Sequence, residues 1–341
     1  MTLLFRKIDT KTRLLNPFRG FSLEEIHSEI RFDPLTNESG RIFDIPFKCA
    51  PTDWTKTLER SDALFCPFCE GSIEKSTPLF PEDVISEGSI RVGEATLIPN
   101  LLPFDKYAAV CIMTRRHYIP LPEWNPETME DAFVASQRFL REITEKDPQV
   151  DYFSVNWNYM PPSGSSIVHP HLQINCGEVP TNEHRLQLQG ARQYQKETGL
   201  SFWSDFMDTE REKNERYIGE IGATFWTMGY VPRGFLPDVQ CIFPDAVSLA
   251  RINEEDLYSF LKGLSGVLSY FREQNIPSFN MSIFSVRDDR NFRVNARICP
   301  RLLPRPIGNS DMAYLQMLHR ESFCVRPPES ECPRVRDHWT G

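Results

Sequence analysis

The chain has 341 residues, long enough for one large or two ordinary domains, and 40% of it is hydrophobic, with 24 Phe and 6 Trp to fill a core. A net charge of −9 speaks against a protein that coats nucleic acid, though a phosphate ligand needs only a local arginine or a few backbone N–H groups. No apolar run reaches membrane-spanning length, the start Met1 to Lys7 is too short and too soon charged for a signal peptide, and nine scattered cysteines point to reducing cytosol rather than a disulfide framework.

In chain order, Glu29 to Thr36 reads as an extended stretch ending in a turn. Ala95 to Asn100 and Tyr107 to Met113 read as strands, and Pro126-Glu127-Thr128 opens a helix with apolar positions Met129, Ala132, Phe133, Phe139, Leu140 and Ile143. Asp151 to Tyr159 alternates as a strand, Ser163 to Ser166 makes a small-residue turn, and His169-Pro170-His171-Leu172-Gln173 follows as a further strand. The same order then returns. Val239 to Phe243 is a short strand, Asn253 to Asp256 opens a helix running through Leu257, Phe260, Leu264 and Phe271, and Phe279, Met281 and Ile283 alternate. Asp288 to Asn291 turns into a closing strand from Phe292 to Cys299.

Two motifs carry chemistry. Side chains alternate along a strand, so His169, His171 and Gln173 point one way and Pro170, Leu172 and Ile174 the other. Paired imidazoles on one face suit metal ligation or nucleophilic and acid–base chemistry; hydrogen-bonded strand histidines are the plain alternative. The second motif is Cys66-Pro67-Phe68-Cys69, whose thiols can reach one tetrahedral ion. A redox pair is the competing reading, but the following Ser72 and the Pro78/Pro81 region look like loop. With seven histidines in the chain, His117, at a strand end, and His169 are the candidates to complete a closed structural site. That site would leave His171 free for chemistry.

The repeated element order implies a duplicated unit, Phe153 before His169 in the first copy matching Phe279 before Asn295 in the second, with Asn295-Ala296-Arg297 in place of the histidines. The expected organisation is a catalytic half over 1–180, a connector over 181–236 containing Trp203, Phe206 and Trp226, and a degenerate half over 237–341.

Together these residues resemble the galactose-1-phosphate uridylyltransferase branch of the histidine-triad superfamily, through most of the chain. Arg31-Phe32-Asp33-Pro34-Leu35-Thr36 is similar to that family's Arg-x-Asn-Pro-Leu-Thr segment, and Cys66–Cys69 followed by Thr77-Pro78 to its zinc knuckle. Pro99-Asn100 with Pro103 resembles its nucleoside-contacting loop; Asn158 and Ser166 fall on an active-site asparagine and a phosphate-binding serine. The resemblance implies an α+β fold of two antiparallel half-barrel sheets with flanking helices, a structural zinc, and dimers that share residues across the active-site mouth. It also implies that His171 attacks the α-phosphorus of a nucleoside diphosphate sugar or similar nucleotide, forming a nucleotidyl-histidine that a phosphorylated acceptor relieves. Gln173, Arg31, Ser166 and the Gly164 turn would offset phosphate charge.

Some positions depart from the family. Leu172 stands where a glycine is usual, and Asn295 and Arg297 stand where a second His-x-His helps hold an iron-type metal, so that second site is expected to be absent. Gln316 and Ser322 stand where the hexose-binding Glu and Gln are expected, which weakens the case for galactose 1-phosphate; Arg297 or Arg301 would instead meet a second phosphate. Three readings follow: a nucleotidyltransferase; a phosphorylase or hydrolase acting on nucleoside diphosphate sugars or dinucleoside polyphosphates; and a nucleotide-binding protein without turnover. The retained His171 and Gln173 count against the last.

Overall fold

The computed structural model describes residues 3–303 and 309–339; the first two residues of the segment read against a leader, and 304–308 and 340–341 of the C-terminal half, lie outside the described residues. In chain order the elements are β1 (Arg6–Asn16), β2 (Ser22–Phe32), β3 (Ser39–Phe43), α1 (Thr55–Ala63), α2 (Ile73–Ser76), β4 (Ile90–Val92), β5 (Ala95–Pro99) and β6 (Tyr107–Ile112). They continue with α3 (Pro126–Lys146), β7 (Tyr152–Tyr159), β8 (His171–Gly177), α4 (Asn182–Thr198), α5 (Phe202–Lys213), β9 (Tyr217–Ile221), β10 (Thr224–Met228) and β11 (Val239–Ile242). The chain closes with α6 (Glu254–Glu273), β12 (Ser278–Val286), β13 (Asn295–Arg301), α7 (Tyr314–Leu318), β14 (Ser322–Cys324) and α8 (Pro328–Arg336).

The duplication is visible in the strand order. Ten strands form one antiparallel sheet, β4-β5-β6-β8-β7-β12-β13-β11-β10-β9, in which the second five repeat the first five in mirror order from the centre. The two half-sheets therefore meet edge to edge where β7 pairs with β12. Each half carries one long helix between its third and fourth strands in sequence. Asn125 caps α3, its side chain accepting from Thr128 N, and Asn253 caps α6 in the same way, accepting from Asp256 N. Glu127 sits in the first turn of α3 and Glu254, Glu255 and Asp256 in that of α6, where the helix dipole favours them.

Both helices bury their apolar stripes on one face of the sheet. Phe139, Phe260, Leu264 and Phe271 pack with Phe153, Trp157, Leu172, Phe279, Met281 and Ile298, all fully or nearly fully buried. Each such side chain contributes about 1.5–3 kcal/mol of burial free energy, so this layer dominates the stability of the fold. Strand alternation then puts Asn156, Asn158, Gln173, Asn280, Ser282, Arg297 and Arg301 on the opposite, polar face. Different segments cover that face in the two halves. Over the first half the cysteine loop packs Phe68 on Ile98, Val110 and Ile112. Over the second, α5 packs Trp203 and Phe206 with Phe225 and Ile242.

Several expectations are refined. The extended stretch ends at Phe32, because the Asp33 side chain accepts from Leu35 N and Thr36 N and turns the chain. Two of the strands, β9 and β10, fall inside the segment read as connector; Trp226 belongs to the core of the sheet, and only α4 and α5 connect the halves. The alignment of the copies also shifts by two residues. Asn156 opposes Gln173 whereas Ser282 opposes Arg297, so Arg297 is the counterpart of Gln173, and Asn295 that of His171. The connection after β12 is shorter than the one after β7, which sequence spacing alone does not reveal.

The N-terminal residues leave the first half altogether. A second sheet, β1-β2-β3-β14, joins them to the C-terminal strand, β14 running parallel to β3.

Candidate active site

His171 opens β8 on the polar face, with only 7% of its surface exposed. Its Nδ1 lies 2.8 Å from the His169 carbonyl oxygen, an obligate acceptor, so Nδ1 carries the proton and Nε2 the lone pair. Burial lowers its pKa below the usual imidazole range, against the opposing pull of that carbonyl, and keeps the ring neutral at pH 7. The edge of Phe68 packs against it, with ring centroids 5.4 Å apart and planes at 62°. A neutral, oriented imidazole with a free Nε2 is the state a nitrogen nucleophile requires. Gln173 follows on the same face, half-buried, and its side-chain amide makes no hydrogen bond among the described residues.

Beside it, Cys66, Cys69, His117 and His169 converge, each offering one ligand atom within 4.8 Å of the others. Cys69 Sγ lies 3.2 Å from His117 Nδ1 and 3.6 Å from His169 Nδ1, and Cys66 Sγ lies 3.7 Å from His169 Nδ1. Tetrahedral zinc with ordinary Zn–S and Zn–N bonds separates its ligands by about 3.5 Å, so the donor set fits that ion. The outer nitrogens are tied down as metal-bound histidines require: His169 Nε2 sits 2.8 Å from Thr114 O, and His117 Nε2 2.7 Å from Ser61 Oγ. Burial and the neighbouring Cys66 thiol push Cys69 up to about 11, the reverse of an activated redox thiol.

The other residues singled out in the sequence divide. Asn158 stands one step beyond the Trp157–Leu172 pair, which places it beside His171, and its Oδ1 accepts from Asn280 Nδ2 at 2.6 Å. Ser166 is exposed in the turn leading to His169. Asn100 follows β5, where its Oδ1 accepts from Leu102 N and shapes a loop that exposes Leu101, Leu102 and Phe104.

Arg31 and Arg297 are not brought to His171. Arg31 is buried, donating to both oxygens of Glu329, to Glu29 and to Tyr230 O. Glu329 also takes Arg216, itself paired with buried Glu210, so the guanidinium expected at a phosphate is locked in an ion-pair network of the second half. The reason is topological, since β2 pairs with β3 and β3 with C-terminal β14. Arg297 lies in the second half beside Asp238, 3.3 Å away, and lines a small cavity with Asp33, Glu183 and Asn295. Arg301 is likewise held, by Asp311 at 2.8 Å.

Sequence reading missed two contributors. Phe68 was visible as the spacer of the cysteine pair, but its packing on His171 was not. Asn280 gave no signal at all, because only strand pairing brings it to Asn158.

No family model matches the chain. An uncharacterized protein of Archaeoglobus fulgidus is 32% identical over 324 residues, covering 94% of this chain and 95% of its own length. ADP-glucose phosphorylase of Arabidopsis thaliana is 27% identical over 203 residues, 53% of this chain and 57% of that protein. Among solved structures, Arabidopsis thaliana ADP-glucose phosphorylase with bound ADP-glucose superposes with a TM-score of 0.70 at 19% identity, covering 91% of this chain and 98% of that one. A uridylyltransferase superposes with a TM-score of 0.66 at 17% identity, covering 91% and 98%. The chain belongs to one family with the Archaeoglobus fulgidus protein, and its fold is that of the ADP-glucose phosphorylase and uridylyltransferase structures.

Proposed function

We propose that this protein is a nucleotidyltransferase that moves a nucleoside monophosphate from a nucleoside diphosphate sugar to a phosphate-bearing acceptor through His171. The observation that carries the reading is the fixed tautomer of His171, with Nδ1–H spent on the His169 carbonyl and Nε2 unshared among the described residues. Nε2 bonds to the α-phosphorus, the bond from phosphorus to the bridging oxygen breaks, and the sugar phosphate leaves with the electron pair. The imidazolium so formed is stabilised by the same carbonyl. The acceptor's phosphate oxygen then attacks phosphorus and His171 departs as neutral imidazole. Gln173, Asn158 and Ser166 are assigned to the non-bridging phosphate oxygens, and the Asn100 loop to the nucleoside. Arg31 and Arg297 are left out, because carboxylates already hold them.

Zinc held by Cys66, Cys69, His117 and His169 would supply a rigid anchor for the residue whose carbonyl orients His171. The names of the similar proteins support a nucleoside diphosphate sugar as donor. Where inorganic phosphate is the acceptor, the same two steps amount to a phosphorylase. We further assign a cytoplasmic homodimer. All nine cysteines are free, no described helix is long and apolar enough to cross a membrane, and the β1–β2 hairpin exposes an apolar tip.

The test is intact-protein mass spectrometry after brief incubation with a panel of nucleoside diphosphate sugars and dinucleotides, with His171→Asn as control. A nucleoside-monophosphate adduct on the wild type alone is expected, its mass naming the base. Turnover without an adduct would overturn covalent transfer in favour of direct hydrolysis.

A further inference from the structure

At the seam between the half-sheets a single hydrogen-bonded series runs from the second half to the candidate site. Asp311, 5% exposed, accepts from Arg301 Nε at 3.0 Å and Nη2 at 2.8 Å, and from Leu302 N at 2.8 Å. Arg301 Nη1 donates to Asn280 Oδ1 at 2.7 Å. Asn280 Nδ2 donates to Asn158 Oδ1 at 2.6 Å and to Ser163 O at 2.8 Å.

Each link dictates the next. A guanidinium has donors only, so Asn280 must turn its oxygen to Arg301. Its nitrogen then faces the Ser163 carbonyl, which can only accept, and Asn158 must present its own oxygen. The orientation of an asparagine amide is usually ambiguous, but here an obligate donor at one end removes the choice. Asn158 Nδ2 is left without a hydrogen bond among the described residues, beside His171 on the polar face. The Ser163 carbonyl belongs to the turn Pro161–Ser163, just before Ser166, so the same amide also pins the segment that carries the serine.

We infer that Asn280, Arg301 and Asp311 of the second half are positioning residues that hold the Asn158 amide as a hydrogen-bond donor toward the phosphate transferred at His171. This rests on the nucleotidyl-transfer reading. The degenerate half thereby serves the reaction without touching the substrate, through a charge–amide–amide series whose polarity Arg301 sets.

Asn280→Asp and Asn280→Ala separate positioning from mere support. An aspartate keeps the Arg301 contact but cannot donate, so Asn158 turns its nitrogen to the carboxylate and its oxygen to the phosphate. Adduct formation on His171, followed by rapid quench and mass spectrometry, is expected to fall about 10²-fold, as for loss of a preorganised donor. Alanine frees Asn158 to choose, and a fall of about 10-fold is expected. An Asn280→Asp rate within twofold of wild type, or a slower Asn280→Ala, would overturn the inference while leaving nucleotidyl transfer intact. Failure of the wild type to form an adduct with any donor would overturn the reading and the inference together. Should Asn280→Asp not fold, Asp311→Asn loosens Arg301 from a distance. A several-fold drop in adduct rate with unchanged acceptor KM is then expected, and an unchanged rate refutes the role.

Discussion

Asn156 and Ser282 are one position of the repeated unit in two copies, and they face each other: Ser282 Oγ donates to Asn156 Oδ1 at 2.8 Å where β7 pairs with β12. A residue pairs with its own counterpart only where a local two-fold axis crosses an antiparallel ladder. That pair therefore marks the axis of the duplication. To one side lie His171 and the cysteine–histidine cluster; to the other lie Asn295, Arg297 and their carboxylate partners. On the face away from the helices, the side-chain contacts that cross this axis between β7 and β12 are polar.

The metal cluster predicts a sensitivity that lies outside its ligands. Ser61 sits in α1 and meets His117 only through Nε2, on the far side from the cysteines. Ser61→Ala is expected to weaken zinc affinity by about 10-fold, in line with outer partners of metal-bound histidines elsewhere. Competition with a chromophoric chelator reads this directly, and Cys69→Ser, which removes a ligand, is expected to lose the metal altogether. Unchanged affinity in both variants would dismiss the cluster as a metal site.

Much of this was legible in the sequence. The two strand–helix–strand–turn–strand passages, with helices opening near Pro126 and Glu254, stand in the structure because each rests on local periodicity, although the strand read from His169 begins only at His171. The candidate ligands His117 and His169 converge in the structure as the sequence reading expected. What failed depends on contacts between distant segments. Arg31, expected at a phosphate, pairs with Glu329 instead of lying beside His171, because β2 belongs to a sheet completed by β14. Pairing register, which no single segment encodes, moved the counterpart of His171 to Asn295 and brought Asn280 to Asn158. Trp226 falls in the segment read as a connector, yet it lies on β10, which with β9 closes the sheet.

Glu329 gives the prediction for pH. It bridges Arg31 and Arg216 at 2.8 and 2.7 Å, and although burial pushes its carboxyl up, the hydrogen bond and charge of Arg31, with the charge of Arg216, hold it below the usual glutamate range. A carboxyl depressed on folding contributes stability that is complete above its unfolded pKa of about 4.3 and is lost as pH falls through the lower folded value. Glu329→Gln is therefore expected to cost about 3 kcal/mol at pH 7, since two buried guanidiniums lose their shared counter-charge. The difference from wild type is expected to shrink as pH falls below about 4, where the wild-type carboxyl also protonates. Urea unfolding of both proteins between pH 7 and pH 3 checks it. A gap independent of pH would mean that Glu329 acts by shape and not by charge.

The hairpin of β1 and β2 bears on assembly. Eleven paired residues on each strand carry the chain to a tip where Leu15, Phe18, Phe21 and Leu23 are 60, 96, 66 and 58% exposed. Only β2 pairs onward, to β3, so β1 is an edge and the tip has no sheet beneath it among the described residues. A two-stranded ribbon is marginal alone in water, and two phenylalanines at its turn cost solvation without return unless something covers them. A second copy is the occupant assigned above. Phe18→Ser with Phe21→Ser is expected to convert the dimer to a monomer in light scattering coupled to size exclusion, at unchanged circular dichroism. Both residues lie outside the machinery assigned to His171, so adduct formation in the monomer shows whether each active site is complete within one chain. A wild-type protein that runs as a monomer at micromolar concentration would remove the second copy as the partner of the tip.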